Sequence, residues 1–141
     1  MSNMPTNLGI LFREPFRVGT ALLHERFAER GHPEIRPVHG NVMQFLGHEG
    51  TRVSVLAERA QITKQSMGEL VAHLERLGYV ERVADPSDGR AKLVRATARG
   101  RKLYAIAREV VAELEADWAR RIGPARMRQL RALLEELNAC L

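Results

Sequence analysis

A mainly α (α+β) fold carrying one small hairpin follows from three features of the sequence. Apolar residues recur three and four apart over most of the 141 residues, which is the helical period. The period changes to alternation in YVERVA and KLVRA, two stretches separated by the turn-rich run DPSDGR. Breakers at Gly31, Pro33, Gly47, Gly50, Gly78, Gly123 and Pro124 cut the helical pattern into segments. With 45% hydrophobic residues, the chain suffices for one core, or for a small domain plus an oligomerisation element, and a second independent domain is not expected.

Residues 1–7 are polar with one proline, the composition of a loose N-terminal arm. The pattern of Phe16, Gly19, Leu22, Leu23 and Phe27 predicts a helix within Leu8 to Arg30, opened or kinked by Pro15. A second helix is predicted from Pro37 to about Leu46, with Val38, Val42, Phe45 and Leu46 inward. Thr51 to Val53 reads as a short strand, and Ser54 as the cap of a short helix, VLAERA.

After a tight turn at Gln61 and Ile62, TKQSMGELVAHLERLG is a helix capped by Thr63 and ended by Gly78. Met67, Leu70, Val71, Leu74 and Leu77 form its buried stripe; Lys64, Gln65, Glu69, His73 and Arg76 form the outward face. Leu56, Ala57, Ala60 and Ile62 place apolar and small residues where two helices cross steeply. The pair reads as a helix-turn-helix, and the hairpin after it as a wing. Thr97 then caps a long helix, about Ala98 to Ile122, striped by Leu103, Ile106, Ala107, Val110, Val111, Leu114 and Trp118. A last helix carries Met127, Leu130, Leu133, Leu134 and Leu137.

From Arg82 to Lys102 there are seven Lys or Arg against two Asp, an excess equal to the whole chain's net charge of +5. Such a concentration beside a polar helix face is the footprint of a nucleic-acid reader. The apolar faces of the first helix and the last two exceed what a small winged lobe covers. They predict a two-fold homodimer, the alternative being a monomer in which these helices pack only on one another.

The stretch LAERAQITKQSMGELVAHLERLGYVERVADPSDGRAKLVRATARG resembles the winged helix-turn-helix of the MarR family of bacterial transcriptional regulators. The most specific parts are the TKQS opening, the LERLGYVER junction, and Asp88 with Arg90 at the wing tip. The core match covers about Val53 to Gly100 and the flanking helix order fits across nearly the whole chain, with departures at Gly89, Ala96 and Pro15. The resemblance implies a homodimeric regulator, usually a repressor, on a pseudo-palindromic operator. It also implies release by a small ligand held between the dimerisation helices and the DNA-binding lobe. The expected organisation is an arm (1–7), an N-terminal dimerisation helix (8–34), a winged helix-turn-helix lobe (35–100) and C-terminal dimerisation helices (101–141).

The expected DNA-binding residues are Thr63, Lys64, Gln65, Ser66 and Glu69 at the helix start, with Arg82, Asp88, Arg90 and Lys92 on the wing. Lys donates to guanine O6 and N7, Gln pairs with adenine N6 and N7, and Glu accepts from cytosine N4. Arg90 at a hairpin tip suits a narrow minor groove, and in the family resemblance Asp88 orients it. Arg99, Arg101 and Lys102 oppose the dipole of the helix they open; a nearby phosphate would offset that, or they are merely tolerated there.

No cofactor or metal is expected. The histidines, His24, His32, His39, His48 and His73, have no i, i+4 pair and no HExxH or CxxC among them, and read as solvated or locally bonded imidazoles. Cys140 is the lone cysteine, which points to a reducing, cytoplasmic setting, and no positive charge stands adjacent to it to activate the thiol. No nucleophile elbow, phosphate loop or spaced carboxylate pair marks an enzyme. Trp118, Tyr104, Phe12, Phe16 and Phe45 are core or ligand-pocket aromatics, and no ligand site is assigned. Two other functions remain open: a winged-helix module for a protein partner, and a DNA binder without an effector.

Overall fold

The computed structural model describes residues 6–141, so residues 1–5 of the expected arm lie outside the described part. The elements run α1 (Leu8–Glu29), a 3₁₀ turn (Pro37–His39), α2 (Gly40–Met43), α3 (Val53–Ala60), α4 (Lys64–Arg76), β1 (Val80–Asp85), β2 (Asp88–Ala96), α5 (Ala98–Ile122) and α6 (Pro124–Ala139). The strands form one antiparallel hairpin, paired from Val80 with Ala96 to Ala84 with Lys92. Beyond Ala84 the register shifts, so that Asp85 faces Asp88 and Gly89, Arg90 and Ala91 bulge from the tip.

Local chemistry explains the ends of the main helices. Asn7 caps α1, its side chain accepting from the Ile10 amide at 3.1 Å. Thr63 does the same for α4 through the Ser66 amide (3.1 Å), and Thr97 for α5 through the Gly100 amide (3.2 Å). Gly31, Gly78 and Gly123 follow helix ends with φ of 94°, 84° and 98°, conformations that favour glycine. Pro15 lies inside α1, which continues through it.

The core joins Phe27, Val42, Leu56, Ala57, Met67, Val71, Leu74, Tyr79, Val80, Val94, Leu103, Ile106 and Val110 in one cluster. Ala57 is buried where α3 meets α4, as the close crossing requires. Helix α1 lies along α5 and is tied to it by Arg26 to Glu113 (2.9 Å) and Arg30 to Glu109 (2.6 Å). Among the described residues no helix is long and apolar enough to cross a membrane.

Four local expectations are corrected. The Pro37 to Leu46 helix is a 3₁₀ turn followed by one helical turn that ends at Met43; Val38, expected inward, is 46% exposed. Ser54 is not the α3 cap: Arg52 occupies that position without a side-chain capping bond, because a guanidinium has only donors and cannot accept from the first-turn amides. The strand expected at Thr51 to Val53 is reduced to a single bridge between Thr51 and Val94, since Val53 already begins α3. Phe16, read as a core or ligand-pocket aromatic, is 76% exposed, and α6 buries none of its residues within the chain.

Candidate nucleic-acid interface

The start of α4 presents its polar side chains as a block. Lys64, Gln65, Ser66 and Glu69 are all exposed, while Met67, Val71 and Leu74 anchor the opposite face in the core. Thr63 serves the cap twice: its hydroxyl oxygen accepts from the Ser66 amide and its O–H donates to Ser66 Oγ at 2.9 Å. These two side chains therefore order the first turn. Lys64, Gln65 and Glu69 are not tied to other side chains among the described residues, and their functional groups are free for an outside partner.

His73 departs from its expected outward position. It is half-buried, with Nδ1 lying 3.1 Å from Nε2 of the buried His39. His39 Nδ1 accepts from the Arg36 amide at 2.9 Å, so the shared proton sits on His39 Nε2 and is donated to His73. The pair links α4 to the 3₁₀ turn before α2. Burial, followed by the nearby positive potential of His73, Arg36 and His24 and weakly offset by Glu34, holds His39 below the ordinary histidine pKa.

The wing residues divide into tied and free. Arg82 lies 3.5 Å from Glu75 at the end of α4, and Arg95 pairs with Glu81 at 2.7 Å across the hairpin. Arg90 and Lys92 are exposed near the tip. Asp88 does not bond the Arg90 guanidinium; its Oδ1 accepts from the Arg90 backbone amide at 3.0 Å, so it shapes the tip's backbone.

The basic run beyond the wing is largely structural at its first member. The Arg99 guanidinium stacks over the Tyr79 ring (4.5 Å to its centroid) and donates to Glu34 Oε1 (2.6 Å) and to the Leu77 carbonyl (3.0 Å). Tyr79 is fully buried, and its hydroxyl donates to Glu34 Oε1 at 2.6 Å; the Tyr79 hydroxyl oxygen therefore accepts from His32 Nδ1–H at 2.7 Å. Burial and the Glu34 carboxylate push Tyr79 up to about 12. His32 and His39 are thus buried, not solvated as expected, and each is bonded across a long sequence distance, His39 in addition to its local bond from the Arg36 amide. Arg101 donates to the Ala96 carbonyl at 3.2 Å.

Sequence reasoning missed Arg52 and Asp85. Asp85 closes β1 at 7% exposure, and both Nε and Nη2 of Arg52 donate to its Oδ2, at 2.8 and 2.7 Å. Its Oδ1 accepts from the Ser87 amide (2.9 Å) and hydroxyl (2.7 Å). The two Ser87 bonds, then Arg52, lower the Asp85 carboxyl to about 2. No local pattern reveals a pair separated by 33 residues.

Two depressions lie on the described surface, one of them beside this lobe. One, of about 600 Å³, lies between the loop after α2, the wing base and the start of α5, with Arg95, Arg101, Arg108 and Tyr104 in its lining. The Tyr104 hydroxyl donates to the Met43 carbonyl at 2.5 Å, and burial pushes its pKa up to about 12. The other, of about 830 Å³, is an apolar groove between α1 and the ends of α5 and α6, lined by Leu11, Phe12, Trp118, Ile122 and Leu130.

The winged lobe is also where the chain meets a known family model: residues 35–91 match the one described as MarR family. That stretch of the chain is similar to the MarR family. Over 90 residues it is 34% identical to the HTH-type transcriptional repressor Rv2887 of Mycobacterium tuberculosis, a match covering 64% of this chain and 65%, just under two thirds, of that relative. The solved structure of the M. tuberculosis MarR family protein Rv2887 in complex with salicylic acid is 27% identical, with a TM-score of 0.67 over 94% of this chain and 97% of that one. The Staphylococcus aureus MepR–DNA complex, at 20% identity, shares the fold with a TM-score of 0.72 over 97% of this chain and 100% of that one.

Proposed function

We propose that this protein is a sequence-specific, double-stranded DNA-binding transcriptional regulator of the MarR family, a homodimeric repressor acting on a pseudo-palindromic operator. The observation that carries the reading is the pairing of two exposed polar units on one lobe: the Thr63-capped start of α4, with Lys64, Gln65 and Glu69 unengaged, and a hairpin tip carrying Arg90 and Lys92. In this reading α4 enters the major groove and the wing reaches the flanking minor groove. Lys64, Gln65, Ser66 and Glu69 contact bases and phosphates; Thr63, Arg82 and Asp88 hold those contacts in place. The relative named as a repressor and the fold shared with a DNA-bound regulator support the same reading.

A second copy of the chain is the proposed partner of the terminal helices. Leu8, Leu11, Phe12 and Phe16 of α1 and Leu130, Leu133 and Leu137 of α6 are all more than 40% exposed, an apolar surface too extensive for an isolated protomer in water. The proposed division assigns 8–34 and 101–141 to dimerisation and 35–100 to DNA binding. Release by a small-molecule effector is supported by the salicylic acid complex of a 27% identical relative. The depression at the wing base, lined by Arg95, Arg101 and Arg108 together with Glu49 and Glu81, offers space for a ligand of that size. An effector would act by favouring a dimer whose two α4 helices are wrongly spaced for DNA.

The test is selection of bound duplexes from a random pool at physiological salt. The expected product is an inverted repeat with half-site centres about one helical turn apart. Binding should weaken with salt at a slope near −0.9 per phosphate contacted. Recovery of no motif by a folded dimer would remove the reading and turn attention to protein partners. Operator release by salicylate or a related aromatic acid separates an inducible regulator from one without an effector.

A further inference from the structure

A two-stranded hairpin is at best marginally stable by itself, so a wing that reads DNA must be held by something else. Here the segment Gly50–Arg52, which leads into α3, holds it at two levels. At the base, the Thr51 amide donates to the Val94 carbonyl (2.8 Å) and the Val94 amide to the Thr51 carbonyl (2.9 Å), adding a one-residue third strand. Gly50 is required beside this bridge: its φ is 106°, and a Cβ there would stand 2.8 Å from Leu93 Cβ.

Nearer the tip, Arg52 holds the Asp85 carboxylate from one side while Ser87 holds it from the other. Arg52 Nη2 also lies 3.8 Å from Asp88 Oδ2, and Asp88 in turn fixes the Arg90 amide. A line of contacts thus runs from the first residue before the helix-turn-helix to the exposed arginine of the wing. Every acceptor site of the buried carboxylate faces a donor, so the turn has one well-determined arrangement.

We infer that Arg52 is a positioning residue for DNA recognition, acting through Asp85 and Asp88 to set the angle at which the wing presents Arg90. The inference rests on the regulator reading above. It differs from a direct phosphate contact by Arg52, and the two roles predict opposite behaviour at Asp85. If Arg52 reached a phosphate, removing the competing carboxylate charge would free it and strengthen binding. If Arg52 positions the wing, the same change weakens binding.

The experiment has one arm without DNA and one with it. In the free protein, amide exchange is followed at Asp85 to Lys92 in wild type, Arg52→Gln and Arg52→Lys, with exchange in the α5 core reporting that each variant is folded. Faster wing exchange in Arg52→Gln, partly restored in Arg52→Lys, is expected; unchanged wing exchange overturns the anchor. On the selected operator, Arg52→Gln and Asp85→Asn should each weaken binding about tenfold, the effect of losing a charge-assisted hydrogen bond. Arg90→Ala placed on Arg52→Gln should then cost less than about twofold more, since an unanchored wing has little contact left to lose. Additive losses, or tighter binding by Asp85→Asn, would overturn the positioning role. A wild-type protein that selects no operator would end the regulator reading, and the role in recognition with it, whatever the exchange arm shows about the anchor.

Discussion

The carbonyl oxygen of Tyr79 stands 2.1 Å from the point that a Cβ on Gly100 would occupy. This contact brings the first turn of α5 against the junction between α4 and the wing. Thr97 completes the joint: its hydroxyl donates to the Gly78 carbonyl at 2.5 Å, and its amide donates to the Tyr79 carbonyl at 3.1 Å.

Gly100→Ala is therefore expected to destabilise the fold by about 3 kcal/mol or more, because the added methyl meets backbone that cannot turn aside. Ala normally raises helix stability over Gly, so a loss here isolates the close approach from helix propensity. Urea unfolding of the two proteins measures it, and an unchanged midpoint would contradict the contact.

The buried histidines give a pH dependence with a defined sign. Folding lowers the pKa of His39 and of His32, chiefly by burial, from the ordinary value of 6.5. The unfolded chain therefore takes up protons first, so this contribution to stability is present above about pH 6.5 and is lost as the pH falls below it. The urea midpoint of wild type should drop between pH 7.5 and 5. His39→Gln, which removes one of the two groups, should show a shallower drop over that interval.

At the recognition helix, Lys64→Ala should weaken binding to all duplexes and reduce the magnitude of the salt slope by about one, as expected for a phosphate contact. Gln65→Ala should cost about 1–3 kcal/mol on the selected operator and relax preference at one position. Titrations of operator and single-position variants at several salt concentrations distinguish these outcomes. Equal affinities for wild type and both variants would remove α4 from the interface.

The terminal helices predict a concentration effect. If α1 and α6 are covered by a second copy, the thermal midpoint rises with protein concentration. Phe16→Glu should then shift sedimentation from dimer to monomer and weaken operator binding with it. A wild-type protein that sediments as a monomer at micromolar concentration would refute the dimer.

What was legible in the sequence was whatever a few neighbouring residues decide. The caps at Thr63 and Thr97 are bonds to the amide three residues on, so residue type and spacing suffice to find them. The limits of α5, the buried stripe of α4 and the alternating wing follow from periodicity in the same way. Expectation failed where a side chain's partner was distant in the chain. His73 has the position of an outward residue on α4, yet His39 draws it inward; Arg52 looks like an ordinary residue before a helix, yet it holds Asp85.

The sequence by itself thus determined the order of helices, the hairpin, and the block of polar residues that opens α4. Only the tertiary structure decided which charges remain free to meet a partner. Arg82, Arg95 and Arg99 are paired with Glu75, Glu81 and Glu34, while Lys64, Arg90 and Lys92 stay exposed. Charge count is a property of composition, but the availability of a charge depends on which opposite group the folded chain brings within a few ångströms.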